Sequence, residues 1–224
     1  MKNPSPLIKK ICSVLITILV PLALMMTAIR LLITPLYPQI EYRMPGFPAD
    51  SYGFTLEDRL KWSKISIDYL VNNEDISWLA NQKLDANTPL YAERELSHML
   101  DVKNLVQAML VAWFIVLLAL IVMGFWAWRA AWLDEYFRAL RRGGWLTMGL
   151  IAAILIGVAV SFYQLFTVFH QIFFTGDTWL FLWSDTLIRL FPLRFWQDAF
   201  IAVGIFSVLG ALGLAFLLPR PKKA

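Results

Sequence analysis

Residues 105–128 read LVQAMLVAWFIVLLALIVMGFWAW and contain no charged side chain. About 20 consecutive apolar residues span the hydrocarbon core of a bilayer, so this stretch predicts a transmembrane helix. Three further apolar runs lie at about residues 11–33, 145–169 and 199–218. The whole chain is 59% hydrophobic and 16% charged, whereas soluble domains carry roughly 25% charged residues. We therefore predict an all-α membrane protein with four transmembrane helices, and a single membrane domain over residues 1–224.

Basic residues collect at one set of helix ends, which predicts the orientation in the membrane. The N-terminus carries Lys2, Lys9 and Lys10, and Arg residues fill the loop predicted at 129–142. Arg220, Lys222 and Lys223 follow the last apolar run. Cytoplasmic loops are enriched in Lys and Arg, so both termini are predicted to be cytoplasmic. The net charge of +4 is thereby explained by topology and not by nucleic-acid binding. The apolar run at 11–33 lacks a small-residue cleavage site at its end, which predicts an uncleaved helix.

The stretches at 34–104 and 170–198 are then predicted to lie together on the outer side. Residues 55–72 have helical spacing, with Leu56, Leu60, Ile67 and Leu70 on one face. Thr55 and Asp58 resemble a capping box with Asp in the usual Glu position, and a short helix is expected within 73–87. We interpret residues 34–104 as an extracytoplasmic cap that lies on the membrane between the first two helices.

The only two histidines, His98 and His170, are predicted at similar depth on this outer side. A single histidine is most often structural, but ionisable groups in or near a membrane tend to mark function. Asp101 would share a helical face with His98 and could orient its ring. Equally, Asp101 could be an acid that complements the helix dipole. Asp185 and Arg189 are four residues apart and are expected to form a structural ion pair.

Several chemistries remain open at this point. The aromatic residues of 170–198 are typical of an interfacial belt, but they would also suit a lipid-binding pocket. No zinc-protease spacing, P-loop or GxSxG motif is present. A non-catalytic subunit of a membrane complex could ligate haem or pigment through His98 and His170, and a membrane hydrolase is a further alternative.

Four motifs resemble the lipoprotein intramolecular transacylase (Lit) family of integral membrane proteins. These are YPQIEY at 37–42, ERELSHMLDVK at 93–103, FHQIFF at 169–174, and GDTWLF with DTLIRLFPLRFWQD between 176 and 198. The resemblance implies an extracytoplasmic reaction in the bacterial cytoplasmic membrane. An acyl chain would move from the sn-2 ester of a diacylglyceryl lipoprotein to the α-amine of its N-terminal cysteine, giving the lyso form.

The resemblance implies that His98 and His170 are catalytic, and it leaves their roles unassigned. It also implies neither a cofactor nor a metal, with a lipoprotein and membrane lipid as partners. We further predict substrate contacts for eight residues: Tyr37, Glu41, Asp101, Phe169, Phe173, Trp179, Asp185 and Arg189.

Overall fold

The protein, seen in a computed structural model, is described over residues 3–219 and is almost entirely helical there. Within that range the only extended pairing is an isolated bridge between Lys83 and Pro89. A π-helical turn, Gly213–Leu217, extends the last helix. The α-helices are α1 (Pro6–Leu32), α2 (Leu36–Glu41), α3 (Leu56–Val71), α4 (Ser77–Ala80), α5 (Glu93–Arg129), α6 (Leu133–Phe173), α7 (Thr186–Leu190) and α8 (Leu193–Leu212).

Four of these helices, α1, α5, α6 and α8 with its π-helical turn, are long and apolar enough to cross a membrane. Many of their large apolar side chains, such as those of Val111, Phe114 and Ile121, are exposed, as expected for surfaces that face lipid. The prediction of an all-α membrane protein with four transmembrane helices is confirmed, with the cap segment between the first and the second. The proposed single-domain organisation and the orientation stay predictions. Lys2, Arg220, Lys222 and Lys223 lie outside the described residues.

The loop predicted at 129–142 is wrong, because α6 already begins at Leu133. Residues 133–142 have an apolar face, on which Ala139 and Leu140 are buried. Arg138 and Glu135 pair on the helix surface at 3.5 Å. The arginines at 138, 141 and 142 therefore belong to an amphipathic stretch at the start of α6. Basic residues at these positions are compatible with a continuous helix, so they do not mark a loop. The sequence also gave no signal for the bend of α6 at Ser161, where the backbone is extended.

The contacts divide the chain into two compact units. The first unit contains Leu110–Gly157 with the described parts of Met1–Arg30 and Ile201–Ala224. Its helices approach closely at glycines, as is common in membrane bundles. A Cβ on Gly143 would lie 2.5 Å from Cβ of Val20, and one on Gly144 would lie 2.8 Å from the carbonyl oxygen of Ala211. Cys12 is half-buried against this core, in keeping with a packed small residue.

We expect Gly143→Val to lower the melting temperature of the detergent-solubilised protein. The added side chain would force α6 away from α1 at Val20, and overpacking of this kind costs about 1–3 kcal/mol. Gly149→Val is the matched control, since it is on the same helix and a Cβ there meets nothing within 4 Å. Equal melting temperatures for the two variants would contradict the close packing at Gly143.

The second unit contains Leu31–Met109 and Val158–Phe200. The cap does not make a core alone, because its side chains pack with residues from the start of α5 and from α7. The buried cluster contains Trp62, Tyr69, Leu79, Leu90, Tyr91, Met99, Leu187 and Leu190. Lys103 of α5 donates hydrogen bonds to the chain just after α3, at Asn72 Oδ1 (2.9 Å) and the Glu74 carbonyl (2.5 Å). Two separate stretches of the chain therefore build this unit.

The local predictions for the cap are largely confirmed. Thr55 and Asp58 form a capping box at the start of α3, and the short helix expected within 73–87 is α4. The predicted face was wrong at Leu56, which is exposed, while Arg59, Trp62, Ser66 and Tyr69 are buried instead. Hydrogen bonds within the unit compensate for the burial of polar groups. One of them joins Ser66 Oγ and the Tyr91 hydroxyl at 2.5 Å.

Candidate active site

The second unit brings the two histidines together. His98 lies in the second turn of α5 and His170 in the last turn of α6. Their ring centroids are 6.1 Å apart and the ring planes differ by 20°. Their residues are only 8% and 9% exposed, so both imidazoles are largely withdrawn from water. Two buried titratable rings at this separation could act together on one small group placed between them.

A backbone hydrogen bond determines the tautomer of His170. Its Nδ1 lies 2.8 Å from the carbonyl oxygen of Phe166, one turn earlier in α6. A carbonyl only accepts, so Nδ1 carries the proton and donates it. Nε2 of the neutral ring then holds a lone pair. A backbone contact of this type orients the ring and leaves the opposite nitrogen available as a base.

His98 differs from His170 in the hydrogen bonding of its Nδ1. Its Nδ1 is buried and has no hydrogen-bond partner among residues 3–219. A buried N–H without an acceptor is rarer in proteins than a buried acceptor without a donor, so the favoured tautomer places the proton on Nε2. In that form His98 presents a donor, whereas His170 presents an acceptor.

Aromatic rings surround the pair. Phe174 contacts both imidazoles, with centroids 4.8 Å from His98 and 5.4 Å from His170. Phe181 lies 5.3 Å from His98, while Phe166 and Trp179 lie 4.1 and 5.0 Å from His170. The predicted Phe169 contacts His170 with ring centroids 5.6 Å apart, and Phe173 packs against Phe169 with the ring planes tilted by 48°.

The sequence prediction missed Phe166, Phe174 and Phe181 as site residues. Phe166 and Phe174 are four residues before and after His170, and α-helical neighbours at that spacing lie on one face. This signal was available in the sequence. Phe181 follows a turn at Gly176, whose φ is +63°, and its approach to His98 depends on tertiary structure.

The start of α5 is held in place by α7. Glu95 is 2% exposed. Its Oε2 accepts from the backbone N–H of Ala92 (2.8 Å), just before α5, and its Oε1 accepts from that of Leu187 (2.7 Å), in the first turn of α7. One carboxylate thus satisfies the free N–H groups of two helix N-termini. Glu95 precedes His98 by nearly one helical turn, so this contact helps to position the His98 ring.

The predicted ion pair between Asp185 and Arg189 is wrong. Asp185 precedes α7 with an extended backbone (φ −68°, ψ 144°), so the helical i, i+4 geometry does not apply to it. Asp185 instead accepts two hydrogen bonds from Arg94, and Arg189 pairs with Asp50 at 3.0 Å. Both residues therefore have structural partners, which leaves their predicted contact with substrate a prediction.

Asp101 does not orient His98 in this structure, since the carboxylate makes no hydrogen bond with the ring among the contacts of residues 3–219. The alternative role at the helix dipole also fits poorly. The first turn of α5 contains Glu93 and Glu95, and the dipole effect falls off beyond that turn.

Tyr37 and Glu41 lie on α2 and away from the two imidazoles. The Tyr37 hydroxyl donates to the Phe195 carbonyl at 3.1 Å, and the two rings pack edge to face. Glu41 is 4% exposed and its Oε1 has no partner among the described residues. Burial raises the pKa of Glu41 to about 7, and the nearby Asp198 adds to the shift. Burial likewise raises the pKa of Tyr37, whose hydroxyl stays protonated and donates to Phe195.

The geometry does not favour the haem alternative. A porphyrin ligated by both imidazoles would need open space between and around the rings, and Phe174 contacts both of them.

A buried pair of imidazoles with complementary tautomers, on helices that cross a membrane, is typical of a membrane enzyme that uses acid–base chemistry. Comparison with known proteins identifies that enzyme class as an acyltransferase. Residues 14–196 match the family described as lipoprotein intramolecular transacylase Lit, and the chain belongs to this family.

Individual relatives agree with the family match. An uncharacterised protein from Aquifex aeolicus (strain VF5) is 27% identical over 217 residues, covering 93% of this chain and 97% of the relative. The structure of the membrane-integral Lit from Bacillus cereus has a TM-score of 0.80 at 19% identity, and the match covers 95% of each chain. A variant of that protein with one histidine replaced by alanine has a TM-score of 0.72 at 18% identity, covering 94% of this chain and 91% of the variant. At these identities the structural matches support the fold.

Proposed function

We propose that this protein transfers an acyl chain within a diacylglyceryl lipoprotein, from the sn-2 ester of the lipid to the α-amine of the N-terminal cysteine. The observation that carries the proposal is the facing pair of buried imidazoles. His170 offers a base and His98 offers a hydrogen-bond donor, and an ester-to-amide transfer uses both.

The proposed step balances without a cofactor. The amine nitrogen attacks the acyl carbon, and Nε2 of His170 accepts a proton from that nitrogen. The ester C–O bond breaks, and the departing glycerol oxygen receives that proton from Nε2 of the protonated His170, which restores the neutral ring. Ester and amine become amide and alcohol, which is a favourable exchange. Nε2–H of His98 donates a hydrogen bond to the carbonyl oxygen while negative charge develops there.

The surrounding aromatic residues suit the substrate. In the transition state the amine and the ester belong to the same molecule and close a medium-sized ring, which is entropically unfavourable. Phe174 and Phe181 beside His98, with Trp179 beside His170, form apolar walls that would hold the acyl chain and reduce this cost. In our proposal the side with the histidines faces outward, both termini are cytoplasmic, and membrane lipid surrounds the helices.

Incubation of the purified protein with a synthetic diacylglyceryl lipopeptide tests this function. Transfer leaves the mass of the lipopeptide unchanged, so fragmentation must locate the acyl group, and an amine-reactive label must report whether the α-amine is blocked. We expect an unchanged mass, a blocked amine and an acyl group on nitrogen. A free amine with release of fatty acid would instead identify a hydrolase, and a free amine without release would refute the proposal. An N-acetylated lipopeptide, which has no nucleophile, is the matched control.

A further inference from the structure

Arg59 of α3 carries a buried charge without a carboxylate partner. The residue is 5% exposed and its guanidinium lies against the rings of Tyr42 (4.8 Å) and Phe47 (5.0 Å). Nη1 donates to the Pro48 carbonyl at 2.8 Å, and Nε is buried without a partner within residues 3–219. No ion pair in that range includes Arg59. Arginine stays protonated and burial of a charge without an ion pair is costly, so an anion beside this side chain would stabilise it further than the two rings and the nearby Asp50 do.

A cavity of about 510 Å³ adjoins Arg59 in the second unit and is also lined by Arg189 and Arg194. The other two arginines are neutralised by protein carboxylates, Arg189 by Asp50 and Arg194 by Asp198. Among the arginines that line the cavity, Arg59 is therefore the one without an ion pair in residues 3–219. Within residues 3–219, each of the three guanidinium groups also has terminal N–H groups that donate no hydrogen bond. These are at Nη2 of Arg59, Nη1 of Arg189 and both Nη atoms of Arg194.

The rest of the cavity wall is typical of a bilayer surface. Leu193 and Arg194 belong to the first turn of α8, a helix that is apolar enough to cross a membrane. Trp183 and Tyr52 line the same cavity and are 76% and 52% exposed. Exposed aromatic residues at the end of a membrane helix favour the level of the lipid headgroups. A bound peptide carboxylate would neutralise the charge of Arg59, but it would not account for the exposed rings of Trp183 and Tyr52.

We propose that this cavity binds the phosphodiester headgroup of a glycerophospholipid through Arg59, Arg189 and Arg194. A phosphodiester has one negative charge, which can be placed beside the arginine that has no ion pair, and its oxygens accept hydrogen bonds from arginine in a favourable geometry. The site is separate from the His98–His170 pair and does not depend on the proposed acyl transfer.

The test uses the full chain in detergent, at constant ionic strength, with the melting temperature as the readout. Dihexanoyl phosphatidylglycerol, dihexanoylglycerol and inorganic phosphate are titrated separately. A ligand that binds the folded state raises the melting temperature in proportion to its occupancy. We expect stabilisation by the phospholipid and none by dihexanoylglycerol. Equal stabilisation by inorganic phosphate would support the same anion site and identify free phosphate as sufficient.

Variants connect the effect to the cavity. Arg59→Gln and Arg194→Gln each remove one charge-assisted hydrogen bond to the phosphodiester. We expect each variant to bind the phospholipid with an apparent affinity about tenfold or more weaker than that of the unaltered protein. Lys64→Gln removes one exposed positive charge from α3 outside the cavity and should bind as the unaltered protein does. If Arg59→Gln does not fold, Arg59→Lys and Arg194→Gln still test the site. Unchanged affinity in the cavity variants, equal binding of dihexanoylglycerol, or no stabilisation by the phospholipid would overturn the proposal.

Discussion

Replacement of either histidine by alanine is expected to lower the rate of acyl transfer by about 10²–10⁴-fold, the usual contribution of a positioned acid or base. Both variants should fold, because the two rings lie at the ends of long helices and the one side-chain hydrogen bond of the pair is made by His170 to its own helix. The measurement is the rate of amine blocking in the lipopeptide assay, with the melting temperature of each variant determined in parallel.

Glutamine variants distinguish the roles of the two histidines. A glutamine at position 98 can place an N–H donor near the position of the His98 Nε2, so His98→Gln should recover part of the activity lost in His98→Ala. No glutamine can accept a proton from an amine, so His170→Gln should be no more active than His170→Ala. Partial recovery at position 170 and none at position 98 would reverse the assignment. Full activity in both alanine variants would refute catalysis by the pair.

The meeting of the two histidines could be predicted, because helix counting alone placed both at one end of their helices. The aromatic rings around them were partly predictable, since Phe166 and Phe174 follow the helical spacing of His170. The tautomers were not predictable from the sequence. They depend on which ring nitrogen reaches the Phe166 carbonyl and on the burial of the His98 Nδ1, and both are properties of the packed structure.

The ion pairs show the limits of sequence spacing more clearly. Asp185 and Arg189 are four residues apart, but α7 begins only at Thr186. Asp185 therefore lies outside the helix, and the side-chain spacing of helical neighbours does not apply to this pair. Their partners, Arg94 and Asp50, are distant in sequence. The core of the cap was hidden for the same reason, since Trp62 and Leu79 pack with Leu187 and Leu190 from the stretch after α6. Local patterns still gave the capping box of α3 and the four membrane helices correctly.

Glu95 is the position outside the histidine pair where we expect the largest effect. Its carboxylate is the acceptor for two backbone N–H groups, one just before α5 and one in α7. Glu95→Ala would leave the buried N–H of Leu187 unsatisfied, which costs about 1–3 kcal/mol, and would also remove the acceptor of the part-buried Ala92 N–H. We expect a clear fall in melting temperature in this variant. The matched control is Glu93→Ala, which removes an exposed acid from the same first turn of α5.

Glu95→Ala should lower the rate of acyl transfer by more than the loss of folded protein alone would explain. Without the contact to Leu187, the first turns of α5 lose their attachment to α7, and the His98 ring, nearly one turn further on, loses its fixed orientation. We therefore expect the catalytic rate of the folded fraction, isolated by size exclusion, to fall while the KM for lipopeptide changes little. Glu95→Gln retains one acceptor oxygen but directs an N–H group at the other donor, so its stability and rate should lie between those of the parent and Glu95→Ala. If the folded fraction of Glu95→Ala transferred acyl chains at the parent rate, Glu95 would stabilise the fold without positioning His98.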